Sequence, residues 1–409
     1  MRPQLPRFLP AIATAVLLSL GAGLLTTGLR ADPVAPVEQL GEAEQIVTRA
    51  MPPAPVGPDI PIALLVDMAS GQVLFAREAD RRFIPASVTK VMTAYTAFQQ
   101  VESGNLPLER PFLVSQQLED EWSGEGSSMF LKAGDRPTID ELLMGATTVS
   151  GNDASVALAQ ASVGTLDAWL ELMNDNARAL GMKNTHFGSP NGFPDGGSTY
   201  TSAEDLVHLA SAIIRKYPAY YDRYFGNHGF RWNNITQANH DPLTGKVEGA
   251  DGLKTGYTNE AGYTFVGSAE REGRRLIVVI AGAPTGRERD TTARALVEWG
   301  FAAFAPARLF AEGQQVATAQ VQLGAVDTLT LVADHDVMAS LPAAPGPVEA
   351  KVTYRGPLSA PIKAGQEVAA LDVTIGEQPA FTVPLVAGRD VAEAGLLRRI
   401  VAGLRGLAS

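Results

Sequence analysis

Short β-prone runs stand at both ends of a long helical stretch, and that order constrains the fold more than any other feature of the chain. "PIALLVDMASGQVLFARE", from Pro61, has two apolar runs on either side of Ser70-Gly71, the pattern of a strand hairpin. Far downstream "DGLKTGYT", "GYTFVGSAE" and "RRLIVVIAGAP" again read as strands, the last two joined by the turn-like "REG". Between them apolar residues recur at helical spacing in "TKVMTAYTAFQQVES", "TIDELLMGATTVS", "NDASVALAQAS", "LDAWLELMNDNARALG" and "SAEDLVHLASAIIRKYP". Thr138 with Glu141, and Ser202 with Asp205, have capping-box spacing, the second with Asp in place of Glu. Strands at both ends of a helical segment predict one antiparallel sheet assembled from the two ends and flanked by helices. The fold class is therefore α+β, over residues 59–306, closed by the helix "ERDTTARALVEWGFAAF".

Beyond residue 307 the texture changes to short valine- and threonine-rich runs separated by glycine and proline turns, such as "DTLTLVADHDV" and "QEVAALDVTI". These predict a small all-β domain over residues 307–390. At the N-terminus, Arg2 and Arg7 precede an apolar run over residues 8–25 and then "RADP", the order of an export signal over residues 1–31. An uncleaved membrane anchor is the alternative. Residues 32–58 are rich in proline and polar groups and read as a linker. At the other end, over residues 393–409, Leu396, Leu397, Ile400, Val401, Leu404 and Leu407 share one helical face, with Arg398 and Arg405 opposite. Such a helix suits the headgroup region of an anionic bilayer, or docks on the protein's own domain. Together the two ends predict an exported, periplasmic protein, peripheral on the outer face of the cytoplasmic membrane.

Composition removes several function classes. A formal net charge of -11 opposes binding to nucleic acid, which depends on cations that neutralise phosphates. With no cysteine, thiol catalysis and thiolate metal sites are excluded, and the five histidines are scattered without a metal-ligand spacing. No metal and no cofactor is expected.

That leaves hydroxyl chemistry. In "PASVTK", Ser87 and Lys90 stand three residues apart at a helix start, where both side chains share a face. A lysine desolvated by the apolar "VMTAY" that follows has a lowered pKa and can take the serine proton. The amide end of the helix would also favour an oxyanion. An ordinary capped helix start has the same text, so the pair alone decides little. "TTVSGNDAS" places Ser150 and Asn152 in a turn between two helices, open to a cleft or serving only as a cap. "DGLKTGYT" places Lys254, Thr255 and Gly256 on a strand, where the missing side chain at Gly256 lets a substrate backbone come close.

In this order, Ser-x-x-Lys, Ser-x-Asn and Lys-Thr-Gly form the signature of serine penicillin-recognising enzymes. The wider text "SSMFLKAGD", "MNDNARALGMKNTHF", "DGLKTGYTNEAGY" and "TGRERD" resembles the low-molecular-mass penicillin-binding proteins that act as D-alanyl-D-alanine carboxypeptidases. The resemblance implies a serine β-lactamase/DD-peptidase-like catalytic domain. Its substrates would be peptidoglycan pentapeptide stems, with β-lactam antibiotics as covalent ligands. Ser87 would be the nucleophile, Lys90 its base, and Ser150 a proton relay. Asn152 would orient Lys90 and the substrate, the backbone N–H groups of Ser87 and Tyr257 would form the oxyanion hole, and Lys254, Thr255 and Arg287 would hold the terminal carboxylate. Arg287 also reads as a solvated loop arginine, with Arg289 its rival. A serine β-lactamase fits less well: Gly151 stands where it has aspartate, and "GMKNTHFGSPNGFPDGG" offers no glutamate for the deacylating water. A DD-endopeptidase shares the core but usually lacks a second domain, and a slow muropeptide-binding protein would need the intact motifs to be idle.

Overall fold

A computed structural model describes residues 18–20, 52–342, 346–376 and 378–395. The chain divides into two compact units, one of residues 53–69 and 73–302, the other including the described residues from Ala303 onward.

The first unit is built on a five-stranded sheet. Its strands are β1 (Ile62–Asp67), β2 (Val73–Arg77), β5 (Ala250–Thr258), β6 (Gly262–Arg271) and β7 (Arg274–Ala283), in the order β2-β1-β7-β6-β5. A separate hairpin, β3 (Gly229–Trp232) with β4 (Ile235–Ala238), lies between its halves in sequence. The sheet joins the two ends of the segment, as the sequence predicts: β1 pairs antiparallel with β7, Ile62 opposite Ala281 and Leu64 opposite Val279. Both faces are covered. Ile62, Leu64 and Val66 belong to one apolar cluster with the helices, whereas Leu65 on the opposite face touches α8 (Gly286–Ala303) so closely that a Cβ on Gly300 would lie 2.5 Å from its Cδ2. A near-continuous apolar run such as "LIVVIA" in β7 suits a strand buried on both sides.

The helices are α1 (Lys90–Glu102), α2 (Gln116–Trp122), α3 (Ile139–Thr148), α4 (Asn152–Val163), α5 (Leu166–Ala179), α6 (Ala203–Lys216) and α7 (Pro218–Tyr224), besides α8. Thr138 and Glu141 form the full capping box of α3. At α6 only half of the expected box forms. Ser202 accepts from the Asp205 N–H, but the shorter Asp205 side chain turns away to accept from the Asn184 N–H at 2.7 Å and the Thr185 hydroxyl at 2.6 Å.

The second unit holds a seven-stranded sheet of β12 (Val348–Thr353), β14 (Glu367–Ile375), β15 (Phe381–Ala387), β10 (Thr328–Ala333), β9 (Gln315–Gln322) and β13 (Leu358–Ser359), with Leu18–Leu20 outermost beside β12. A two-stranded sheet pairs β8 (Phe304–Phe310) with β11 (Val337–Pro342). Alternate residues Leu371, Val373 and Ile375 of β14 enter its core, the period-two pattern of a strand with one buried face. The first strand begins at Phe304 rather than 307, because Pro306 removes an amide and biases Ala305 away from helix, so α8 stops at Ala303. The expected export signal, apart from Leu18–Leu20, and the expected terminal helix from residue 396 lie outside the described residues.

Candidate active site

Ala86–Thr89 form a single 3-10 turn that runs straight into α1. Residues three apart eclipse in a 3-10 turn, so Ser87 and Lys90 face each other. Neither this turn nor α1 has a side-chain cap, which leaves the Ser87 hydroxyl for Lys90: Nζ and Oγ are 2.8 Å apart. Lys90 Nζ also donates to Asn152 Oδ1 at 2.7 Å and to the Asn191 carbonyl at 2.7 Å. Lys90 is fully buried, and burial pushes its pKa well below the usual lysine range. The Lys254 charge adds to the fall and Asp153 opposes it. A neutral amine has two N–H donors and one lone pair. In that form the two donors would serve Asn152 and Asn191, and the lone pair would be free to accept the Ser87 proton.

The backbone around Ser87 and Ser150 is held in sparsely populated conformations. Ala86, just before Ser87, has φ 49°, and Ser150 has φ 65°, both in the left-handed region that non-glycine residues avoid at a cost of about 1–3 kcal/mol each. Such strain persists only where surrounding contacts over-determine the backbone. One of these contacts is Gly192, at φ 74°, where a Cβ would fall 1.8 Å from the Ala86 carbonyl oxygen.

β5 is the edge strand beside this turn. Gly256 lines the cleft, yet the space its missing side chain frees is taken by the chain itself. A Cβ there would meet the Pro85 carbonyl oxygen at 2.4 Å and the Ser87 nitrogen at 3.2 Å. The sequence reading reserved that space for substrate backbone. In the structure it lets the turn that carries Ser87 sit directly on the strand.

Ser150 and Asn152 sit where α3 ends and α4 begins, because Gly151 breaks the helical run between them. The Asn152 carboxamide is fixed at both ends, accepting from Lys90 and donating from Nδ2 to the Glu125 carbonyl at 2.8 Å. Asp153, not singled out from the sequence, secures this corner. Its buried carboxylate accepts from the Ser128 hydroxyl at 2.7 Å and from the N–H groups of Met129, Leu131 and Ala154 at 2.8, 3.0 and 2.9 Å. The signal was present as an acidic residue in the first turn of a helix, where it meets unpaired amides. Asn191 was equally unmarked, since it acts through a backbone carbonyl that any residue carries.

At one end of the cleft, of about 730 Å³, Thr255, His240 and Arg289 gather beside the buried Lys254. Burial lowers Lys254 to about 7, Arg289 adds to the fall and Asp241 opposes it. His240, absent from the sequence expectations, is lowered by burial and then by Lys254 and Arg289. Of the two rival arginines, Arg289 lines the cleft with its side chain 9% exposed, held by Asp290, whereas Arg287 is exposed and does not line it. Residues two apart on a helix point to nearly opposite sides, so only one can enter. α8 opens at Gly286 close to Tyr263, where a Cβ would lie 3.2 Å from the ring. Ser87, Ser150, Asn152, Thr255, Gly256 and Tyr257 all line the same cleft, with Lys90 and Lys254 buried behind it.

A sheet-and-helix domain that brings Ser-x-x-Lys, Ser-x-Asn and Lys-Thr-Gly to one cleft, followed by an all-β domain, defines a serine hydrolase of the penicillin-recognising class. Residues 56–285 match the D-alanyl-D-alanine carboxypeptidase family, and residues 304–393 match the C-terminal domain of penicillin-binding protein 5. D-alanyl-D-alanine carboxypeptidase DacD of Escherichia coli (strain K12) is 35% identical over 346 residues, 82% of this chain and 88% of that protein. DacA of the same organism is 32% identical over 88% of this chain and 90% of its own. Among solved structures, penicillin-binding protein 5 from Haemophilus influenzae superposes with a TM-score of 0.71 at 31% identity, covering 82% of this chain and 98% of that one. The chain belongs to the D-alanyl-D-alanine carboxypeptidase family.

Proposed function

We propose that the protein is a serine-type D-Ala-D-Ala carboxypeptidase that removes the terminal D-alanine of peptidoglycan pentapeptide stems and is acylated by β-lactams. The observation that carries this reading is the buried Lys90 amine, 2.8 Å from Ser87 Oγ, with its other two contacts taken by Asn152 and Asn191.

In the proposed cycle Lys90 Nζ takes the Ser87 proton as Oγ attacks the carbonyl between the two D-alanines. The oxyanion is met by the backbone N–H groups of Ser87 and of Tyr257 on the edge strand. The proton passes through the Ser150 hydroxyl to the leaving nitrogen, the C–N bond breaks, and free D-alanine departs. Lys90, again neutral, takes a proton from water as it attacks the ester, and Ser87 is restored. Asn152 Oδ1 holds Lys90 in register throughout. Lys254, the Thr255 hydroxyl and Arg289 meet the substrate's terminal carboxylate through charge-assisted bonds, and a free carboxylate is what separates a carboxypeptidase substrate from an internal cross-link. Support for Arg289 over Arg287 is its position in the cleft.

The same reading takes residues 1–31 as an export signal, 32–58 as a linker, 59 to the end of α8 as the catalytic domain and the β strands up to residue 390 as a second domain. Residues 393–409 are taken as a helix on the outer face of the cytoplasmic membrane, in the periplasm. Among the described residues no helix is long and apolar enough to cross a membrane.

The test is incubation of the protein with a pentapeptide muropeptide and with a cross-linked dimer, followed by mass spectrometry. Loss of one D-alanine is expected. Splitting of the dimer without that loss would assign the endopeptidase instead. Ser87→Ala should abolish covalent labelling by a fluorescent penicillin.

A further inference from the structure

The sheet of the second unit carries β12 near one edge, and the outer side of that strand is taken by Leu18–Leu20. The segment lies antiparallel, with Leu18 opposite Ala350, Ser19 opposite Glu349 and Leu20 opposite Val348. Residues 18–20 fall inside the expected export signal. Its removal would leave that side of β12 without a strand partner, and an open edge of this kind pairs with another chain unless something blocks it. The opposite edge offers less, since β13 is only two residues long.

The side chains of β12 decide what can pair there. Val348, Ala350 and Val352 alternate along one face, Ala350 buried in the core of the unit and the two valines packed against it. Glu349 and Lys351 share the other face, and both are exposed. Within the chain Lys351 stands opposite Asp372 of β14, whose carboxylate accepts from the Thr353 and Thr382 hydroxyls, and Glu349 stands opposite Thr374. Neither Glu349 nor Lys351 enters an ion pair among the described residues.

A lone lysine on an edge strand repels a second copy of the same strand. Here the order Val348-Glu349-Ala350-Lys351-Val352 reads alike in both directions, except that the charge changes sign. Two copies laid antiparallel about Ala350 therefore put Glu349 of each opposite Lys351 of the other, and Val348 opposite Val352. A slip by one residue sets charged side chains against the apolar face. A slip by two sets Glu349 against Glu349, or Lys351 against Lys351, so the register about Ala350 is the attractive one.

We propose that β12 is the dimerisation edge of the processed protein, where two copies pair about a twofold axis at Ala350 and join their sheets into one. The contact is isologous, so each charge pair occurs twice. The proposal rests on the reading of residues 1–31 as a signal that is removed.

The test uses the full protein as exported and processed, in a mild detergent. Intact mass gives the first residue, and sedimentation equilibrium gives the dissociation constant. A chain without residues 18–20 that associates as a weak dimer is expected, because a ladder this short buries little surface. Opposite-charge cross-strand pairs each contribute about twofold to fivefold. Glu349→Lys or Lys351→Glu, each turning two attractive pairs repulsive, should therefore weaken the dimer at least about tenfold, with Tm near that of the parent. Mixing the two variants should restore association, since an edge of one sign then meets an edge of the other, which a misfolded variant could not do. A processed chain that stays monomeric, or a dimer indifferent to both reversals, as association through the C-terminal segment would be, overturns the proposal and leaves the export reading intact. A chain that keeps residues 18–20 overturns the export reading and the proposal with it.

Discussion

Replacing Gly256 with alanine tests whether Ser87, the proposed nucleophile, is positioned by direct contact of its turn with the edge strand. The added Cβ would lie 2.4 Å from the Pro85 carbonyl oxygen, where ordinary contact begins at 3.4 Å, a deficit of 3.4 − 2.4, or about 1 Å. The same Cβ comes within 3.2 Å of the Ser87 and Val88 nitrogens, so the turn cannot swing sideways to escape. It must lift off β5, carrying the Ser87 Oγ and amide away from the Tyr257 N–H. A misplacement of about 1 Å costs on the order of 100-fold in rate, and loss of one oxyanion donor costs about 100- to 1000-fold. Overpacking of this size destabilises by about 1–3 kcal/mol, a fall of a few degrees in Tm for a domain of this length. The assay is the second-order rate of acylation by a fluorescent penicillin, with thermal unfolding measured on the same samples. The expected result is acylation slowed at least about 100-fold in a protein that still unfolds cooperatively within several degrees of the parent. Acylation within threefold of the parent would refute the reasoning, because the turn would then not depend on that contact.

Asp153→Asn replaces an acceptor of four hydrogen bonds with a group that presents its own N–H donors to backbone amides. A loss of about 2–3 kcal/mol is expected, read as a Tm fall of about 5–10 °C by calorimetry, together with slower acylation as the Ser150–Asn152 corner loosens. Arg289→Ala should raise KM for a pentapeptide by about 10- to 100-fold by removing a charge-assisted carboxylate contact, whereas Arg287→Ala should change it less than about twofold. Steady-state kinetics on both variants decides between the two arginines. The pH profile of kcat/KM should have two limbs of opposite sign. Activity should rise with pH as Lys90, held low by burial, loses its proton and can act as a base. It should fall above about 7 as Lys254 loses the charge proposed to meet the carboxylate. In Lys254→Arg the falling limb should move above about pH 9, since arginine does not deprotonate in that range.

The three motifs were legible because their chemistry needs particular residue types, a hydroxyl with a lysine, a serine with an amide, and a lysine and threonine before a glycine. The hairpin at Ser70-Gly71 and the box at Thr138 were legible because hydrophobic period and capping are local. Asp205 shows where local reading stops, since its carboxylate serves Asn184 and Thr185 some twenty residues away in sequence rather than its own helix end. Asn191 and Asp153 escaped notice for the same reason. The first works through a carbonyl that has no residue type, the second through amides of a loop that only folding brings near.

By itself the sequence determined the α+β class, the sheet closed from both ends of the first unit, and the three groups of residues that meet in the cleft. Those follow from periodicity and from side-chain chemistry, which are properties of neighbours along the chain. Only the tertiary structure decided that Arg289 rather than Arg287 enters the cleft, because which face of α8 meets the cleft depends on how the helix packs against distant segments. It also decided that the space at Gly256 belongs to the Ser87 turn, and that the Lys90 amine is buried with its pKa well below the usual lysine range. Burial and the nearby Lys254 charge lower the Lys90 pKa, and both act only once distant segments have packed together.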